Sequence, residues 1–186
     1  MRRLMVAAVA GGLLAVAIPG AAGSAHATEV LKDLTCSGPV TLTFKNPVTD
    51  AAASNSYTVE GSLDDCYSAA GTNSNVDHGT ISSVGTGTFS CVSYHPFSGT
   101  ATFTWYDVNN RNLGRTTVSF QGGEKGNSGG SEVTNDETGI TDVTSTLLPL
   151  NSYQGSFDLS GITGSCDTGV TALTGKHEVD FSLASL

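Results

Sequence analysis

In segment after segment from Val40 onward, apolar residues recur at every second position, and there is almost no helical signal. Val40, Leu42 and Phe44 alternate with Thr41, Thr43 and Lys45, and Val179, Phe181 and Leu183 alternate with Asp180 and Ser182. Alternation of this kind marks a strand with one face buried and the other wet. Ser, Thr and Gly crowd the intervening positions. The expected fold is therefore all-β.

Further strands are expected around Tyr57–Leu63, across a meander from Thr86 to Gln121, at Ile140–Leu150, at Tyr153–Leu159, at Val170–Leu173 and at His177–Leu183. A count of about eight to ten strands points to a two-layer antiparallel sandwich, with a closed barrel as the alternative. In the meander, a turn at Tyr94–Ser98 pairs Phe89 with Phe103, Cys91 with Ala101 and Gly87 with Trp105, so a glycine faces the only tryptophan. A second turn is expected at Asn109–Leu113. The run Gln121–Ser131, rich in glycine and without an apolar residue, reads as an exposed loop.

Residues 1–27 are expected to leave. Met1-Arg2-Arg3 supplies a positive start, Leu4–Ile18 an apolar run too short to span a membrane, and Ala25-His26-Ala27 a small-x-small cleavage site. Cleavage leaves 186 minus 27, or 159 residues, enough for a single secreted domain with no membrane anchor, expected to be monomeric. All 17 acidic residues and 6 of the 8 basic ones remain, giving a net charge of 6 minus 17, or −11. That balance disfavours nucleic acid and anionic membranes as partners. An extracellular protein or the cell envelope is the partner it leaves open.

Four cysteines, Cys36, Cys66, Cys91 and Cys166, enter an oxidising space in an even number, and two disulfides are the expected state. Pairing Phe44 with Tyr57 and Leu42 with Val59 brings Cys36 opposite Asp65, one residue short of Cys66. A bulge at Gly38-Pro39 would repair the register and favours Cys36–Cys66, leaving Cys91–Cys166.

The order Thr35-Cys36-x-Gly38, Cys66, Gly85-x-Gly87-x-x-x-Cys91, Gly99-x-x-x-Phe103-x-Trp105 and Cys166-x-x-Gly169-Val170 resembles a group of small secreted β-rich proteins of unknown function from high-GC Gram-positive bacteria. The resemblance implies a fold and an exported location. It rests on scaffold residues and transfers no active site. The acidic stretch Gly122–Asp142 departs from the group.

Candidates for chemistry are each outweighed by a plainer reading. Glu60, Asp64 and Asp65 could pair for glycoside cleavage, but adjacent strand residues point to opposite faces. Asp77-His78 could belong to a triad, yet the chain has no GxSxG elbow. Asp107–Asn112 spaces oxygen ligands like a calcium loop but lacks its glycine and closing glutamate. Asp136, Glu137 and Asp142 read as a solvated acidic loop, and His177 as a satisfied histidine near a strand end. No cofactor or metal is expected.

Trp105 is placed inside by its register, which weakens a sugar-stacking role, and Tyr106 remains a surface contact. The segment Tyr94-His95-Pro96-Phe97 is the candidate contact loop. The leading expectation is a non-catalytic, surface-acting binding or envelope-associated module. A secreted hydrolase or protease inhibitor presenting Tyr94–Ser98 or Gly122–Ser131 is the alternative, and a small hydrolase built on His78, His95 or His177 comes third.

Overall fold

The computed structural model describes residues 32–91, 94–124 and 134–183. The expected export signal lies outside them, as does most of the glycine-rich stretch, although Gln121–Glu124 turn out to be strand. The chain is all-β with two disulfides. The described residues form nine strands, β1 (Lys32–Val48), β2 (Ala53–Leu63), β3 (Asp65–Tyr67), β4 (His78–Phe89), β5 (Tyr94–Tyr106), β6 (Asn112–Glu124), β7 (Thr134–Thr141), β8 (Asn151–Ser165) and β9 (Gly169–Leu183).

All pairings are antiparallel, and they run β2-β4-β5-β6-β7-β8-β9-β1-β3 with β1 also bonded to β2. The ladder thus returns to its start. Opposed stretches of this one sheet supply the two facing layers, and their side chains interdigitate between them. Phe103 of β5 and Phe181 of β9 are far apart in the ladder, yet their rings meet edge to face at 5.3 Å. Phe103 also stacks on Trp105 at 5.5 Å, and Tyr153 packs on both Phe103 and Phe181.

β3 continues β2 along the same edge of β1 after one extra residue. Phe44 pairs with Tyr57 and Leu42 with Val59, but Cys36 pairs with Cys66. The disulfide Cys36–Cys66 follows from that step. The bulge falls on the second strand, at Leu63-Asp64, and not at Gly38-Pro39. Asp64 N–H bonds Ser37 O at 2.9 Å, and a Cβ on Gly38 would strike the Ser62 carbonyl oxygen. Gly38 is the flat partner that lets the extra residue in.

The meander needs a correction of register. Phe103 pairs with Ile81, Ala101 with Ser83 and Trp105 with Gly79. The reversal comes before Tyr94, because Phe89 already pairs with Tyr94. Tyr94–Ser98 is strand, not turn. The slip is eight residues, an even number, so each side chain keeps the expected face. Gly79 takes the place expected of Gly87, with its absent Cβ 2.6 Å from Trp105 Cε3. The second turn stands where expected, around Asn110 at φ 60°.

Ile140–Leu150 is strand only to Thr141. Leu148 and Leu150 have φ of 54° and 57°, a backbone no strand accommodates. This loop instead straps β6, where Thr146 and Leu147 N–H both bond Arg115 O. Val170–Leu173 and His177–Leu183 belong to the single strand β9.

Candidate functional site

One transverse row of paired residues shapes the outer face of the molecule. Phe44 pairs with Tyr57, Tyr57 with Gly85, Gly85 with Gly99, Gly99 with Phe120 and Phe120 with Gly139. All point inward, and rings occupy the space that glycine side chains would take. A Cβ on Gly99 would lie 2.7 Å from Phe120 Cζ, and one on Gly85 would meet the Tyr57 phenol. With no side chain to hold them off, these backbones settle close over the rings. The outer surface dishes there into a groove of about 1200 Å³ crossing β1, β2 and β4 to β7.

The groove is lined by outward residues on either side of that row, including Thr58, Thr86, Ser98, Thr100, Ser119 and Gln121. None of these six side chains hydrogen-bonds to another described residue. Elsewhere some hydroxyls are used by the fold, as where Ser82 donates to Glu60 at 2.7 Å, Thr35 to Asp180 at 2.6 Å and Thr72 to Asp33 at 2.8 Å, while others such as Thr80, Thr102 and Thr104 are unbonded as in the groove. Val84 and Ile140 add apolar patches, 59% and 62% exposed, large enough to touch a ligand. Among the described residues no carboxylate lines the groove, and Lys45 is the one charged group there.

A second cluster lies inside. Tyr153 donates to Glu137 Oε2 at 2.8 Å, His177 Nε2 stands 3.7 Å from the same oxygen, and Phe157 stacks flat on the imidazole at 4.0 Å. Burial pushes the Glu137 carboxyl up to about 7, opposed by the Tyr153 bond. Burial holds His177 down at about 3. Around pH 6 the pair is therefore a carboxylic acid beside a neutral imidazole, not an ion pair. The Tyr153 and Tyr57 hydroxyls are raised, first by burial and then by Glu137. Tyr57 OH, Ser83 Oγ and His177 Nδ1 are buried without a hydrogen-bond partner. The cavity between Tyr57, Glu137 and the surrounding Phe and Leu side chains is about 20 Å³, room for one water-sized molecule.

Glu137 corrects the expectation of a solvated acidic loop, since it is a core residue of β7. Its strand reads Thr-Asn-Asp-Glu-Thr-Gly-Ile-Thr, with Glu137, Gly139 and Thr141 on the inner face, so no apolar signal marks it. His177 is on the parity expected of it but fully buried within β9, and its Nδ1 is unsatisfied.

The other singled-out residues scatter. Asp64 and Asp65 are exposed at the bulge, and Glu60 is taken by Ser82. Asp77 and His78 meet at 3.0 Å on the surface, where His78 stacks on Tyr106, and no serine hydroxyl completes them among the described residues. Asp107 caps its own turn, accepting from Asn109 N and Arg111 N, and these bonds hold its carboxyl below the usual range. Asp142 does the same for Thr144. Of the candidate contact loop Tyr94–Phe97, all four residues lie in β5, Pro96 is exposed and Phe97 is buried against Tyr57 and Phe120.

Cys91–Cys166 joins the segment after β4 to the one after β8, with 5.8 Å between Cα atoms. Asp50 lies beside both sulfurs, but each is committed to the bridge and offers no thiolate to a metal. Two disulfides fit an extracellular or other oxidising compartment. No protein-family model, curated protein or solved structure matches the chain.

Proposed function

We propose that this chain is a secreted, non-catalytic binding module that acts through its outer face, with the groove over the Tyr57-Gly85-Gly99-Phe120 row as the contact surface. The observation that carries this reading is a concave groove on a strongly acidic chain that, among the described residues, is lined by exposed unbonded hydroxyl side chains and by no carboxylate. The polar residues best suited to catalysis by type, Glu137, Tyr153 and His177, are sealed in the core, and the internal space that Glu137 lines is too small for a substrate. His78 sits on the surface, away from them in burial and in partners.

The inhibitor alternative loses the first of its two loops, because Tyr94–Ser98 is paired strand with Phe97 in the core. The envelope of the producing cell is the partner that fits the expected export. Co-sedimentation of the oxidised protein with isolated cell-envelope material tests the reading. Saturable binding that falls at least tenfold in Thr100→Lys, a variant at an exposed groove position, is the expected result. Binding indifferent to Thr100→Lys removes the groove from the account.

A further inference from the structure

We infer that the groove takes an uncharged polysaccharide strand, an inference that rests on the groove being the contact surface. The groove crosses six strands, which at the usual interstrand spacing is about 24 Å from end to end. Its volume also exceeds the range of about 300–1,000 Å³ typical of small-ligand pockets. Such a surface suits several units of a chain better than one small molecule.

Five classes of partner are open to it, and four fail on the residues present. A nucleic acid or an acidic glycan needs several cations to neutralise it, and among the described residues the groove has Lys45 alone in a chain of net charge −9. A basic polymer needs carboxylates, and no described one lines the groove. An extended peptide binds most simply by adding a strand to a free sheet edge. Here β2, β4, β5, β6 and β7 are each hydrogen-bonded on both sides, so no edge is open beneath the groove. A folded protein partner would seek aromatic or arginine anchors, and the exposed groove residues include neither.

A neutral glycan remains, and its chemistry matches the lining. Each Ser and Thr hydroxyl donates one hydrogen bond and accepts two, as each sugar hydroxyl does, and Gln121 supplies both functions at once. Because the side chains of Thr58, Thr86, Ser98, Thr100, Ser119 and Gln121 make no hydrogen bonds to described residues, all are available without breaking the fold. Val84 and Ile140 offer apolar contact to the C–H faces of sugar rings.

Calorimetric titration of the oxidised protein tests this, using cellohexaose, xylohexaose and dextran as neutral probes, polygalacturonate as the acidic one and polylysine as the basic one. The expected result is binding to at least one neutral probe that tightens with oligosaccharide length. Thr100→Lys and Ser119→Asp, charges of opposite sign at two exposed groove positions, should each weaken it at least tenfold with unchanged melting. Gln154→Lys, an exposed site on β8 outside the groove, should leave it unaltered. Failure of all three neutral probes overturns the glycan assignment, as does binding of a neutral probe that ignores both groove variants. If polygalacturonate or polylysine binds instead and the groove variants abolish it, the ligand class is wrong and the groove stands. If no probe is sensitive to either variant, the groove reading falls as well.

Discussion

Trp105 and Gly79 are one unit. The indole is fully buried, donates from Nε1 to Thr116 Oγ1 at 2.8 Å, and lies over the backbone of Gly79. Thr116 passes the bond on to Leu147 O at 2.7 Å, so the ring also anchors the strap after β7. Trp105→Ala should lose about 3–5 kcal/mol of stability in denaturant titration, and an unchanged midpoint would refute this account of the core. Gly79→Ala should cost about 1–3 kcal/mol, because its Cβ can enter only by displacing the ring. The same substitution at Gly123, where a Cβ meets nothing, serves as the reference.

Among the elements, the β2–β3 step decides the disulfide. Deleting Asp64 would remove the extra residue and merge β2 and β3 into one regular strand in which Cys36 still faces Cys66. Such a variant should keep the Cys36–Cys66 bridge and show no reactive thiol on unfolding without reductant, as the parent shows none. Two reactive thiols in the deletion would mean that the extra residue at Asp64 does not set this register. The need for a bulge was legible in the sequence, because two apolar pairs set the register and the cysteines disagreed with it by one. The strand that carries it follows from the same register, because Cys36 reaches Cys66 instead of Asp65 only if the added residue is on the β2 side, and one added at Gly38-Pro39 moves the pairing the other way. Alternation reports a face and not a partner, which explains the eight-residue slip of β4 on β5: parity put Trp105 and Phe103 inside, while the turn position was ambiguous among several Ser and Gly residues. β7 was missed as a core strand because its inward residues are Glu137, Gly139 and Thr141. The groove could not be read at all, since it depends on glycines of three strands falling in one transverse row.

For the whole molecule, the buried Glu137 and His177 make stability depend on pH in two opposed ways. His177, about 3 when folded against a usual 6.5, takes a proton in the unfolded chain that the folded one refuses between those values. That difference lowers stability as pH falls from about 6.5 to about 3. Glu137, about 7 when folded against a usual 4.5, keeps a proton that the unfolded chain releases, which lowers stability as pH rises from about 4.5 to about 7. Each slope is about 1.4 kcal/mol per pH unit at its steepest, so they cancel over the shared window from about 4.5 to 6.5. The expected profile is a plateau there, a loss below it driven by His177, and a smaller loss near pH 7 driven by Glu137. Asp107 and Asp142, held below the carboxylate range by their turn bonds, add to the acid limb. Glu137→Gln keeps an acceptor for Tyr153 and removes the titration. Its stability in a pH series of denaturant titrations should climb through the window where the parent is flat. A plateau that survives in Glu137→Gln would mean that the compensation comes from elsewhere in the chain.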